Sequence, residues 1–137
     1  MKRIILLAFL CTPTLVMAQR INHVQEAIAN YDYEAALTLI AKEKPTIPLL
    51  LQKGKAQRGL GMNTEALSTY QEIIANDTAN TRAYIEAAEC CRSLAKYQQA
   101  LKYYEQALDL NPENKYVRIQ YIGLLLSLQT VSYTHLT

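Results

Sequence analysis

Few residues of this chain are of types that could carry out catalysis. Among its 137 residues, His23 and His135 are the only histidines. A Ser–His–Asp triad, a histidine-based metal site or a zinc-protease helix would depend on His23, because the residues around His135 do not follow the pattern of the rest of the chain. A surface histidine is the simpler interpretation of His23. We therefore expect no catalytic site, no metal site and no cofactor.

Cys90 and Cys91 form an adjacent pair that invites a redox hypothesis, since exported proteins commonly hold paired cysteines as disulfides. Adjacent residues on a helix point about 100° apart, so a bridge between them would distort the intervening peptide. Both fall at packed positions of a predicted helix, where cysteine behaves as a small hydrophobe. We favour this structural role and leave the redox alternative open.

Two glycine patterns resemble nucleotide-binding loops only in part. The segment 59–64, GLGMNT, lacks the final small residue of a dinucleotide loop and follows a predicted helix rather than a strand. Gly54-Lys55 has no upstream glycine at phosphate-loop spacing. Gly59 and Gly61 instead fit the left-handed turn that ends a helix. No nucleotide site is expected.

The composition favours an all-helical domain without affinity for nucleic acid. Half of the residues are hydrophobic, and four glycines and four prolines are too few for a turn-rich β fold. The formal charge is +2, but Lys2 and Arg3 belong to a predicted leader, and without them 12 basic residues balance 12 acidic ones. The chain therefore lacks the basic field that nucleic-acid binding requires.

Apolar residues recur at helical spacing along most of the chain. They predict helices at about 47–59, 64–76, 81–94, 97–110 and 115–129, after a shorter helical pair within 21–44. The tyrosines at 70, 84, 97 and 104 fall on the apolar faces, so we interpret them as core rather than as a stacking platform.

The pattern of small and aromatic residues repeats with a fixed period, which is the signature of a repeat architecture. Three pairs of residues are separated by this same period, namely Gly54 and Ala88, Ala66 and Ala100, and Tyr70 and Tyr104. The candidate N-caps Thr46, Asn80 and Asn114 keep it too, which helix propensity alone would not arrange.

The repeating unit resembles the tetratricopeptide repeat, whose signature is W-x2-L-G-x2-Y, then A-x3-F, then P. The better copy supplies residues at all seven signature places: Tyr84, Ala87, Ala88, Cys91, Ala100, Tyr104 and Pro112. In the preceding copy Gly54, Ala66 and Tyr70 match. The departures there are Leu50 for Trp, Lys53 for Leu, Gln57 for Tyr and Thr78 for Pro.

The resemblance implies an all-α fold, an α-solenoid of antiparallel helix pairs that curl into a right-handed superhelix. It implies about three repeats, at about 19–45, 47–80 and 81–114, and a partial repeat at 115–130 that supplies one unpaired C-terminal helix. The first repeat is a few residues short, as terminal repeats often are.

Residues 1–18 are interpreted as a secretory signal peptide. A basic start is followed by the apolar run Ile4–Leu10 and by Val16-Met17-Ala18, which predicts cleavage before Gln19. A membrane anchor is disfavoured because Pro13 and its threonine neighbours leave too short a span. A lipoprotein is disfavoured because Phe9 and Leu10 poorly precede a lipidated Cys11. We expect an exported protein of a bacterial periplasm or cell envelope, with no membrane span in the mature chain.

The last seven residues, VSYTHLT, do not continue the pattern. They match one reading frame of the transposon end used to build sequencing libraries, so residues 131–137 are interpreted as a sequencing-adapter scar and the natural chain as interrupted near Gln129. The apolar run Leu124–Leu126 supports this interpretation, because it gives the final helix a surface that would need a partner helix.

The resemblance also implies a site, since this family usually holds a peptide or partner helix on the concave surface formed by its first helices. The implied groove-lining residues are Leu51, Lys55, Arg58, Arg82, Ile85, Glu89, Arg92 and Ile119. The best-known ligand mode of the family clamps a C-terminal carboxylate with Lys and Asn. Glu86 and Glu89 stand where donors would be needed, so recognition of chaperone tails is not expected.

Three functions follow as hypotheses. We prefer a non-catalytic, exported scaffold that binds a protein or peptide in its groove. The second is a repeat module of a larger enzyme or sensor whose catalytic domain is missing, and the third is an envelope protein that binds glycans. The partner, the full length and the oligomeric state are left open.

Overall fold

A computed structural model describes residue 16 and residues 18–134. The predicted leader lies almost wholly outside these residues, and so do the last three residues of the predicted scar. Within the described part all regular secondary structure is helical, which confirms the predicted fold class. The helices are α1 (18–29), α2 (Tyr33–Ile40), α3 (Ile47–Gly59), α4 (Asn63–Asn76), α5 (Thr81–Ser93), α6 (Tyr97–Leu110) and α7 (Lys115–Thr134).

Each helix packs against the next one along the chain from α2 to α7, as expected for a solenoid of antiparallel pairs. Three of the connecting turns share one backbone device. Tyr31, Gly61 and Ala95 have φ values of 60°, 76° and 57°, which place each in the left-handed region between two antiparallel helices. Gly61 adopts this conformation without steric cost, as predicted, whereas tyrosine and alanine do not.

Small residues let the paired helices approach closely. Ala66, Ala88 and Ala100 are completely buried. Gly54 in α3 has no room for a side chain, because a Cβ atom there would lie 2.5 Å from the ring of Tyr70 in α4. Gly59 is the last residue of α3 and does not have the left-handed conformation predicted for it, and a Cβ added there would overlap the ring of Tyr33.

The core consists of two clusters. The larger runs from Leu50 to Leu124 and contains the buried rings of Tyr70, Tyr84 and Tyr104. The smaller joins α1, α2 and α3 through Val24, Ile28, Ala36, Ile40, Leu49 and Ala56. The prediction that Tyr97 belongs to the core was wrong, because its position at the first turn of α6 leaves 42% of it exposed.

Two of the three predicted N-caps make the expected hydrogen bond. The Oδ1 atom of Asn80 accepts from the backbone N–H of Ala83 at 3.1 Å, and that of Asn114 accepts from Val117 at 3.2 Å. Thr46 occupies the N-cap position of α3, but its side chain makes no capping bond.

The ends of the array depart from the regular pattern. Helix α2 has 8 residues, whereas α4 and α6 have 14 each, so the first repeat is short as predicted. Helix α7 continues to Thr134, beyond the predicted end at Gln129, and so includes part of the segment interpreted as a scar. One face of α7 packs on the core through Val117 and Leu124, while Ile119, Ile122 and Leu126 are exposed.

The contact between Gly54 and Tyr70 gives a paired prediction. Gly54→Ala should lower the free energy of unfolding by about 1–3 kcal/mol, because the added methyl group overpacks a fully buried ring. Gly123→Ala is the matched control, since nothing lies within 4 Å of its added Cβ. It should raise the free energy of unfolding by about 0.5–1 kcal/mol through helix propensity. Urea unfolding measures both, and equal effects would contradict the close approach of α3 and α4.

Candidate functional site

A cleft between α3 and α5 brings three of the predicted groove residues together. Its volume is about 560 Å³, and Lys55, Arg58 and Arg82 line it together with Glu86. We refer to it as the α3–α5 cleft. These side chains meet because the basic residues follow one another at helical spacing on α3 and face the start of α5.

The charges of the α3–α5 cleft do not balance. Arg58 and Glu86 form a part-buried ion pair. Burial alone would lower the pKa of Arg58, but the charge and hydrogen bond of Glu86, together with Cys90 and Tyr70, raise it, so this guanidinium stays charged. Lys55 and Arg82 have no ion-pair partner among the residues that the structure describes. Three basic groups therefore face a single carboxylate.

Glu89 and Arg92 lie one repeat further along, in a network that satisfies itself. The Glu89 Oε1 atom accepts hydrogen bonds from the hydroxyl groups of Tyr104 at 2.6 Å and Tyr116 at 3.0 Å. Arg92 lies 3.5 Å from the other oxygen of this carboxylate and donates to Gln120 at 2.6 Å. Burial and the hydrogen bond to Glu89 both raise the pKa of Tyr104.

Shifting this network back by one repeat leads to the α3–α5 cleft. Its members Glu89, Arg92, Tyr104, Tyr116 and Gln120 correspond to Lys55, Arg58, Tyr70, Arg82 and Glu86. The arginine keeps a partner of the same geometry, because Arg58 pairs with Glu86 as Arg92 pairs with Gln120. The central carboxylate, however, is replaced by Lys55.

The loss of that carboxylate leaves Tyr70 unsatisfied. Its hydroxyl group is buried and has no hydrogen-bond partner within the described residues, whereas the equivalent Tyr104 hydroxyl donates to Glu89. A buried hydroxyl without an acceptor is unfavourable by about 1–3 kcal/mol. The cleft thus has Lys55 where the neighbouring repeat has a carboxylate, and its three cations face Glu86 alone.

The apolar residues of the predicted groove are divided. Leu51 and Ile85 are half-buried and pack on the larger core cluster, so they form a floor rather than a free surface. Ile119 is 67% exposed on α7. That the eight predicted groove residues together form a binding surface stays a prediction.

Sequence reasoning missed the part played by tyrosine hydroxyl groups, because Tyr70 and Tyr104 were predicted only as core residues. The available signal was the substitution of Lys55 for Glu89 one period apart. This signal can be interpreted only if one knows that the tyrosine of the following helix reaches the residue at this position, as Tyr104 reaches Glu89.

Cys90 and Cys91 are free and buried. Burial raises the pKa of the Cys90 thiol to about 12 and also raises that of Cys91. Both favour the neutral thiol, which is a poor nucleophile. His23 is exposed on α1, in agreement with its interpretation as a surface residue. Among the described residues, no group of three or more His, Cys, Asp or Glu side chains is arranged to hold a metal ion.

Residues 18–134 contain no helix that is both long and apolar enough to cross a membrane. This finding concerns the described helices and does not test the predicted leader.

The helix order and packing define a helical-hairpin repeat protein, and comparison with known proteins specifies the kind of repeat. A family model described as the tetratricopeptide repeat matches residues 81–114. A comparison with curated protein sequences finds no match.

Several solved structures resemble the chain. The tetratricopeptide domain of Sgt2 from Aspergillus fumigatus is 13% identical, with a TM-score of 0.77 over 85% of this chain and 81% of that one. The first such domain of Spaghetti (RPAP3), bound to an HSP90 peptide, is 21% identical, with a TM-score of 0.76 over 82% and 92%. The Yersinia enterocolitica secretion chaperone SycD, in complex with a peptide of the translocator YopD, is 15% identical, with a TM-score of 0.71 over 88% and 95%.

At these identities the likeness shows the fold. The chain has the all-α tetratricopeptide fold, and residues 81–114 are a tetratricopeptide repeat.

The buried cysteines give a prediction on pH. An unfolded chain ionises its thiols from about pH 8.5, whereas the folded chain keeps Cys90 protonated until about pH 12. The unfolded state therefore binds fewer protons, and the free energy of unfolding should fall as pH rises between these values. Urea unfolding at increasing pH measures the fall, and Cys90→Ala should reduce it.

Iodoacetamide followed by peptide mass mapping should label Cys90 and Cys91 only after unfolding, and labelling of the native state would contradict their burial.

Proposed function

We propose that the chain is an exported, non-catalytic scaffold that binds an acidic, extended segment of a partner protein in the α3–α5 cleft. Its tetratricopeptide fold supports binding of a polypeptide in general terms, because SycD and Spaghetti (RPAP3) hold peptides on the same fold. The chemistry of the cleft supports the narrower choice of an acidic segment.

The three basic side chains of the cleft, which face one carboxylate, carry this proposal, and the buried, unsatisfied hydroxyl group of Tyr70 lies near two of them, Arg58 and Arg82. An Asp or Glu side chain of the partner would take the place that Glu89 has one repeat further on. It would pair with Lys55 and Arg82, and a shift of these side chains on binding would let it accept a hydrogen bond from the Tyr70 hydroxyl group, which is buried in the free protein. Hydrogen bonds to charged groups contribute about 1.5–3 kcal/mol each, so a single carboxylate can dominate recognition at this point.

The recognised carboxylate belongs to a side chain within the partner segment rather than to its C-terminus. Glu86 and Glu89 stand where the Lys and Asn donors of the family's terminal-carboxylate clamp would be needed, and Glu86 is already paired with Arg58. The Glu89 carboxylate already accepts hydrogen bonds from two tyrosines, so the neighbouring repeat offers no second subsite for an acidic side chain of the partner. We therefore expect binding to be insensitive to amidation of the peptide's C-terminus.

A peptide array with Asp and Glu at varied positions tests the proposal, followed by titration calorimetry of the best binder. Lys55→Gln and Arg82→Gln should each weaken binding about tenfold, or about 1.4 kcal/mol, and the affinity should fall with added salt. Lys102→Gln on the outer surface of α6 is the control and should leave binding unchanged. Equal effects of all three variants would reduce the result to general electrostatics and overturn the assigned subsite.

The two equivalent tyrosines separate binding from stability. Tyr70→Phe should weaken peptide binding while leaving stability unchanged or raising it, because it removes a buried hydroxyl without an acceptor. Tyr104→Phe should lower the free energy of unfolding by about 1–2 kcal/mol, because it breaks the bond to Glu89. Loss of stability in Tyr70→Phe would mean that its hydroxyl already has a partner.

Export is proposed from the leader at residues 1–18. The full chain expressed in a bacterium should be recovered from the periplasmic fraction with Gln19 at its N-terminus, as determined by mass spectrometry. Replacing the apolar Leu6 and Leu7 with Arg should keep the chain uncleaved in the cytoplasm. Recovery of the uncleaved native chain in the cytoplasm would contradict export and would leave the proposal on the cleft untouched.

A further inference from the structure

Helix α2 ends before it can fill the space beside α3. Ala36 in α2 corresponds to Ala66 in α4 and Ala100 in α6, and two turns after each alanine the longer helices bury Ile73 and Ala107. The corresponding residue after Ala36 is Glu43, which lies in the loop after α2 and pairs with Arg20 at 2.7 Å. The first repeat therefore lacks the side chain that closes the core at this point.

A pocket of about 330 Å³ occupies the space that α2 leaves open. We refer to it as the α2–α3 pocket. Its apolar wall consists mainly of Leu37, Ile40, Leu49 and Leu50. Ile40 and Leu49 belong to the smaller core cluster and Leu50 to the larger, so the pocket lies at the seam between the two.

Two residues of α3 that line the pocket break the repeat pattern. Lys53 and Gln57 correspond, one period later, to Ala87 and Cys91, which are fully buried. Gln57 is buried as well, and its Oε1 atom accepts a hydrogen bond from Thr69 at 2.8 Å. Polar side chains thus replace core residues at the point where the preceding helix stops short.

The charge of the pocket is positive. Lys44 and Lys53 line it and have no ion-pair partner within residues 18–134, whereas the acidic residue in the lining, Glu43, is neutralised by Arg20. A ligand that matches both features has an apolar part for the wall and one negative charge at its end.

The volume sets the size of the apolar part. An apolar cavity of about 150 Å³ holds one benzene ring, so a pocket about twice as large accommodates an alkyl chain of about ten carbon atoms. Ligand pockets begin at about 300 Å³, which places this one at the lower end of the range for small molecules.

We propose that the α2–α3 pocket binds a medium-chain carboxylate, with its alkyl chain against Ile40, Leu49 and Leu50 and its carboxylate paired with Lys53 and Lys44. The site is separate from the α3–α5 cleft, because Lys53 and Lys55 point about 160° apart around α3. It does not depend on the peptide-binding function.

Titration calorimetry of the full chain with sodium decanoate, below the concentration at which it forms micelles, tests the proposal. We expect one saturable site per chain. Decanol, which has the same chain without the charge, should bind at least about tenfold more weakly, because it cannot form the ion pair. Absence of saturable binding, or equal binding of decanol, would overturn the proposal.

Substitutions at the pocket locate the binding. Lys53→Met should weaken decanoate binding by about tenfold and change decanol binding less than about twofold. Lys42→Met is the control, since this lysine lies in the loop after α2 that also carries Lys44 but does not line the pocket. Equal affinities of these two variants for decanoate would overturn the assignment.

A second variant removes the charge while protecting the fold. Lys53→Leu supplies the residue that the repeat signature has at this place, so the protein should fold with an unchanged or higher melting temperature. It should weaken decanoate binding by about tenfold, as Lys53→Met does, and change decanol binding less than about twofold. Unchanged decanoate affinity in this folded variant would contradict the ion pair with Lys53.

Discussion

The close approach of paired helices at small residues is the constraint on which the rest of the structure depends. At Gly54 this approach leaves no space for a Cβ atom beside the ring of Tyr70. The equivalent Ala88 does carry a Cβ, so α5 and α6 must leave their tyrosine slightly more room. In both pairs a buried ring crosses to the opposite helix, and its hydroxyl group ends near the side that the predicted groove occupies. Packing therefore determines which polar atoms the groove can use.

The same packed tyrosine serves two different purposes in neighbouring repeats. Tyr104 finds its acceptor in Glu89, so its hydroxyl group contributes to the stability of the α5–α6 pair. Tyr70 has no such acceptor among the described residues, because Lys55 stands where Glu89 would be. A buried donor that lacks a partner in the protein weakens the fold and at the same time favours an external acceptor. The exchange of Glu for Lys, with Arg82 and Glu86 in place of Tyr116 and Gln120, converts a structural network into a candidate site.

The fold could be predicted from the sequence because it depends on spacing, and the candidate site only in part because it depends on contacts. The constant repeat period determined the helix pairs, and the bounds of α3 and α6 agree with the prediction. Three basic residues of the cleft were also identified. Their pairing was not, since Arg58 meets Glu86 from a different helix and helical periodicity does not specify such partners. Tyr97 was wrongly assigned to the core because it lies in the first turn of α6, where an apolar residue can remain exposed at the end of the packed face.

Departures from the repeat rule have consequences that depend on what surrounds them. At α7 the repeat pattern is broken at the edge of the array, because Ile122 occupies the place that Gly54 and Ala88 have in the preceding repeats. Ile122 is exposed there and is not forced into a close helix contact. At α2 the departure from the repeat pattern lies between the two core clusters. There, solvent cannot replace the apolar contacts that the shortened helix does not make. Apolar walls that face a gap there lose contacts on one side. Lys53 and Gln57 make that gap polar at its edge, which prevents simple collapse of the neighbouring side chains and preserves a pocket. An array whose first repeat had a second helix of regular length would have no such pocket.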